Sequence, residues 1–293
     1  MASAFDSFLQ RAWSDHADQA EAVARRLRTE TPAPESAEQL AALVRLVVHL
    51  CGEHLGAFDD ARWRLAALAC HPLADAGVQS ALRVGSSGLS LAETGSAQRG
   101  DFSLEELVRS EASAAAVSLG RRNTARAMSL LSAARRRLAA LPAADACVHR
   151  PLAVACNNMA WELHDRGAER SAGDTAAMLE LAAASRLHWF RAGTWLEVER
   201  ADYCLALCHL SAGSPQAGLG FATECLATCQ QNSAPVNEHF FAHEALGRLQ
   251  HALSDRVAWA LSVAAAQAAF DKLTQQDQDA CRGALDALKA LAP

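Results

Sequence analysis

The sequence predicts an all-α fold, a solenoid stacked from helical hairpins, and three observations carry that prediction. Apolar residues recur three and four apart along most of the chain. Glycine-centred turn signals recur between those stretches, and no stretch reads as a strand. The clearest turn is Gly56-Ala57-Phe58-Asp59-Asp60-Ala61, where the glycine permits a left-handed helix end, the aromatic wedges into the bend and Ala61 allows two backbones to approach. Weaker relatives stand at Gly120 to Ala125, Gly167 with Ala176 and Ala177, Gly213 with Gly218, and Asp255 with Ala258.

From the N-terminus, Phe5, Phe8, Leu9, Ala12, Trp13, Ala20, Val23 and Leu27 predict one amphipathic helix, stopped by Pro32 and Pro34. Ser36 and Gln39 form a capping box opening a helix that runs to Gly56, with a partner from about Asp59 to His71. A short helix at Val78 to Val84 and a loose loop are expected next, because Gly85, Gly88, Gly95 and Gly100 crowd residues 85–100. Ser103 and Glu106 cap a further pair that Pro142 closes, and Pro151 marks another break. Beyond it Leu152–His164 pairs with Asp174–Phe190, Leu196–Ala212 with Pro215–Gln230, and Val236–Leu253 with Arg256–Leu273. Ser214-Pro215 is a helix start, and a last helix from about Asp277 to Leu291 covers the open end. The organisation expected is an N-terminal helix (1–35), N-terminal hairpins (36–142) and C-terminal repeats with a capping helix (143–293), in one continuous solenoid.

Composition narrows the function classes. The 293 residues are 51% apolar but only 5% aromatic, which suits alanine-rich helices packed at close range. A net charge of −6 argues against nucleic acid as the main ligand. Arg121, Arg122, Arg126 and Arg135 to Arg137 are read as a solvated basic face, and the near absence of lysine as codon bias. Nine cysteines without a CxxC spacing read as reduced thiols. With no secretory leader and no apolar run of bilayer length, a cytoplasmic address without membrane partners is expected.

Candidate chemistry is sparse. His239 and His243 share a helix face near Glu244 and His251, but His243-Glu244-Ala245-Leu246-Gly247 has glycine where a zinc protease signature needs its second histidine. His49, Cys51, Glu53 and His54 form a second cluster, in which the five-residue spacing of the histidines makes them diverge around an α-helix. Cys204 with Cys208 and Cys225 with Cys229 could meet around zinc, the favoured reading being small core residues. No nucleophile elbow, phosphate loop or dinucleotide fingerprint is present, so no metal, cofactor or catalytic residue is assigned.

Leu205-Ala206 with Gly213, Gly218, Ala222 and Cys225, Leu246-Gly247 with Ala258, Met159-Ala160 with Gly167, and Gly56 to Ala61 resemble the tetratricopeptide repeat family, whose unit is about 34 residues. The spacings here are longer, and the proline that often ends a repeat is mostly missing. The resemblance implies a right-handed superhelix of about five or six hairpins binding a protein or peptide in its concave groove. Carried across, it places Asn157, Trp161 and His164, then Arg200 and Tyr203, then Glu244, Arg248 and His251 in that groove, with Glu53 and His54 from the early pair. Asn157 would pair with a partner's backbone and Trp161 would seat an anchoring side chain. A second copy of the chain is an admissible partner. Two alternatives stay open: a sensor of a signalling peptide or small ligand, and a divergent metal-dependent enzyme.

Overall fold

The computed structural model describes residues 3–98, 100–141 and 146–291, and among them all regular structure is helical, with no strand. No helix among the described residues is long and apolar enough to cross a membrane. The chain forms two compact units, residues 1–144 and 145–293. The position of Pro142 lies outside the described residues.

The first unit holds α1 (Ala4–Asp15), α2 (Ala20–Thr29), α3 (Ala37–Val47), α4 (Phe58–Ala69), α5 (Ala76–Thr94), α6 (Leu104–Gly120) and α7 (Thr124–Ala139). The N-terminal segment is therefore two helices, not one. Phe5, Phe8 and Ala12 of α1 and Val23, Ala24 and Leu27 of α2 close over Leu43, Leu46 and Leu50, and the break at residues 16–19 lets both helices reach that core. Helix α3 does not run to Gly56 as a plain α-helix. It continues as a π-helix over Val48–His54, after which Gly56 takes the left-handed conformation at φ +61°. The cap at Ser36 is half a capping box: its hydroxyl accepts from Gln39 N–H, while the Gln39 side chain accepts from Glu35 N–H. Ala61 is fully buried against α3 and α5, as its place in the turn predicted.

The loop expected at residues 85–100 is largely helix. Helix α5 runs to Thr94 and ends at Gly95, whose φ is +82°. Gly85 and Gly88 are helix contacts and not breaks. A Cβ on Gly85 would lie 2.7 Å from Val48 Cγ2, and one on Gly88 2.7 Å from Ser113 Oγ, so glycine lets α5 approach its neighbours closely. Gly120 works the same way, a Cβ there falling 2.8 Å from the Glu53 carbonyl oxygen, while Arg122 takes the positive φ of that turn. The basic face is partly engaged: Arg137 pairs with Glu111 at 2.8 Å, Arg126 donates to the Leu91 carbonyl, and Arg121 reaches the His54 carbonyl at 3.4 Å.

The second unit holds α8 (Ala146–Asp165), α9 (Ala172–Ala192), α10 (Trp195–Ser211), α11 (Pro215–Gln231), α12 (Val236–Ala252), α13 (Arg256–Phe270) and α14 (Gln275–Ala290). Each helix from α8 to α14 packs on the next, and α8, α10 and α12 also touch in turn. The helices match the predicted pairs within three residues at either end, except that α8 begins six residues before Leu152. Pro151 lies within α8 and does not break it. Ser214 occupies the cap position with Pro215 in the first turn, but its side chain makes no cap hydrogen bond. Gly218 is a close approach, since a Cβ would sit 2.8 Å from the Ala206 carbonyl oxygen. Leu285 and Leu288 of α14 bury against Phe240 and Phe270.

Candidate functional site

Helices α8, α10 and α12 together line a cavity of about 290 Å³ in the second unit, with Asn157 and Trp161 from α8, Glu199, Arg200 and Tyr203 from α10, and Asn237, Glu238 and Phe241 from α12. Three apolar rings run across it: Trp161 and Tyr203 lie 6.1 Å apart by ring centroid, and Tyr203 meets Phe241 edge-on at 5.6 Å. Arg200 pairs with Glu238 through both its Nε, at 3.3 Å, and its Nη2, and Asn237 donates to Glu238 at 3.2 Å. That hydrogen-bonded pairing holds the Arg200 guanidinium above its ordinary pKa.

Glu199 differs from the other polar residues of the cavity. It is 1% exposed, and its Oε1 accepts from the Cys225 thiol at 2.7 Å and the Cys229 thiol at 3.4 Å. Its Oε2 is buried without a hydrogen-bond partner. Burial pushes its carboxyl pKa up, with the Cys225 hydrogen bond opposing. An orphaned buried oxygen costs free energy, and a donor arriving in the cavity would recover some of it.

The groove residues implied by the repeat resemblance divide into two sets. Asn157, Trp161, Arg200 and Tyr203 line the cavity. Glu244 lies beneath it at 1% exposure, accepting from Tyr203 Oη at 3.1 Å and from Arg248, so both act as supports of the tyrosine. Burial raises the pKa of the Glu244 carboxyl, and burial beside that carboxylate raises that of Tyr203. His164 packs edge-on to Trp161 at 5.1 Å and bonds Asp165 at 3.0 Å, outside the lining. His251 stands against Trp259 of α13, 6.2 Å away.

Sequence reasoning missed Glu199, Asn237, Glu238 and Phe241. A signal existed, because Asn157, Glu199 and Phe241 follow one another at the same interval as Trp161 and Tyr203. The four thiols resolve into two buried pairs, Cys204 with Cys208 at 3.9 Å and Cys225 with Cys229 on Glu199. All eight cysteines whose side chains are described are free. Among the described residues no further metal-ligating group joins His239 and His243.

Glu53 and His54 lie in the first unit, and there the expected divergence of His49 and His54 is wrong. The π-helix turns more residues per turn than an α-helix, which brings residues five apart onto one face. Their Nε2 atoms stand 3.1 Å apart, and His16, between α1 and α2, completes a three-imidazole cluster.

No protein-family model, curated protein or solved structure matches the chain.

Proposed function

We propose that residues 145–293 form a tetratricopeptide-like array that binds a segment of another protein, and that the cavity between α8, α10 and α12 seats one anchoring side chain of it. The observation that carries this reading is the composition of the cavity: three rings for an apolar anchor beside two side-chain amides, Asn157 and Asn237, and the orphaned Glu199 oxygen. An amide side chain both donates and accepts, so Asn157 and Asn237 suit a peptide backbone whatever its sequence. The volume of 290 Å³ lies at the bottom of the range for small-molecule pockets, roughly 300–1,000 Å³, which favours one side chain of a longer partner over an enclosed ligand. In this reading the chain is a binding protein and not an enzyme, and its free thiols suit a reducing compartment such as the cytoplasm.

The test is selection of peptides from a displayed library against the intact protein, followed by affinity measurement on two variants. Trp161→Ala and Asn157→Ala should each weaken the selected peptides, Trp161→Ala by roughly tenfold or more, the scale of an anchor truncation. Peptides that bind both variants as tightly as wild type would place the interaction elsewhere.

A further inference from the structure

We infer that His16, His49 and His54 form a binding site for one divalent transition-metal ion, of the zinc type, with a fourth position left to solvent. Three features of the first unit support it. The first is convergence: one ring nitrogen of each of the three imidazoles lies within 4.8 Å of the others, and the ring centroids are 4.8–5.0 Å apart. A tetrahedral zinc with bonds of about 2.0–2.1 Å needs nitrogens about 3.4 Å apart. His49 and His54 already stand at 3.1 Å. The His16 nitrogen lies within 4.8 Å of both.

The second feature is the set of partners behind the rings. His49 Nδ1 lies 3.0 Å from Glu53 Oε2, and His16 Nδ1 lies 2.6 Å from the Trp13 carbonyl oxygen. A backbone carbonyl can only accept, and an ionised carboxylate likewise, so both Nδ1 atoms carry the proton and each ring presents its Nε2 lone pair as the ligand atom. A carboxylate or carbonyl behind a ligating imidazole is the arrangement that fixes ring orientation and raises ligand basicity. In the empty site His54 Nε2–H donates to the His49 Nε2 lone pair. Metal binding replaces that shared proton, His54 taking the tautomer with its proton on Nδ1.

The third feature is the support under the π-helix. A Cβ on Gly52 would fall 2.8 Å from Leu89 Cδ2, and one on Gly120 2.8 Å from the Glu53 carbonyl oxygen, so α5 and α6 press directly on the segment. Trp13 packs on His16 and His49 at 5.3 and 5.0 Å. All three histidines are half-buried, held by packing yet open to an ion from solvent. Three imidazoles with one open position is a donor set of zinc sites that exchange a fourth ligand, and imidazole also suits nickel and copper.

The experiment is cobalt(II) titration of the reduced, chelator-stripped full-length protein, followed by zinc competition against a chromophoric chelator. One equivalent of cobalt should bind with the visible bands of a tetrahedral nitrogen and oxygen site and without a thiolate charge-transfer band. His16→Gln and His54→Gln should each lower zinc affinity more than tenfold at unchanged helicity. Glu53→Gln should lower it roughly 10–100-fold through the His49 orientation. X-ray absorption of the zinc-loaded wild type needs no variant and should show nitrogen and oxygen neighbours only. Absence of binding with ion in excess, retention of wild-type affinity by both histidine variants, or a sulfur neighbour, which would point to Cys225 and Cys229, overturns the assignment.

Discussion

Glu199 concentrates the energetic tension of the second unit in one side chain. Its carboxyl is buried at the cavity, takes two thiol donors on one oxygen and none on the other. Burial raises its pKa in the folded protein above the ordinary glutamate value. For an acid shifted upward, the folded state holds the proton more tightly than the unfolded chain. Its contribution to stability is therefore greatest at pH below the ordinary glutamate range, and is lost as pH rises from that range through the folded pKa. Glu199→Gln keeps the shape and removes the charge. The variant should lose ground to wild type under acid conditions and gain on it as pH rises toward neutrality. Urea midpoints measured across that interval test the sign. A wild-type advantage that grows with pH would mean that the carboxylate is satisfied when ionised, and that the free oxygen is not available to a ligand.

At the scale of elements, two of the departures from the predicted pattern, the helical glycines of residues 85–94 and the π-helix, share a cause. Helix spacing, the Ser103 cap and the turns at Gly56 and Gly213 were legible, because periodicity and local backbone chemistry act within a few residues. Glycine in residues 85–100 was ambiguous, since the same residue marks a loop or a close helix contact, and only the neighbours Val48 and Ser113 decide. The π-helix was equally hidden. No local signal in Val48–His54 separates it from an α-helix, and the cluster needs His16 from a distant segment as well. The cavity was half legible, in that a repeat pattern located Asn157, Trp161, Arg200 and Tyr203 but not the α12 residues. Gly120→Ala tests how the π-helix is held. The added methyl would meet backbone at 2.8 Å, so α6 or the Glu53 segment must move. The expected result is destabilisation of roughly 1–3 kcal/mol, read in chemical denaturation, together with weaker zinc binding. A variant as stable as wild type would show that the contact yields without strain.

For the whole molecule, far-ultraviolet circular dichroism should report a helix-dominated protein without a strand contribution, and all nine cysteines should titrate as free thiols after denaturation. A sharper test sets a core position of the first unit against a cavity position of the second. Ala61 is fully buried in the core cluster that holds Val44 and Leu65. Ala61→Leu should cost roughly 1–3 kcal/mol by overpacking and lower the melting temperature. Asn157 is half-buried, and its side chain donates to exposed Asn158 at 3.3 Å. Asn157→Ala should change stability by no more than about 0.5 kcal/mol, as surface substitutions usually do. Peptides selected on the wild type should nonetheless bind it more weakly, because a hydrogen bond to a ligand is lost at a desolvated contact and its partner group is left unsatisfied. Ala61→Leu, assayed below its own melting temperature, should bind those peptides normally. The two lesions thus fail in opposite assays. If Asn157→Ala melts as early as Ala61→Leu and still binds peptide at low temperature, Asn157 belongs to the scaffold and the cavity does not hold the partner.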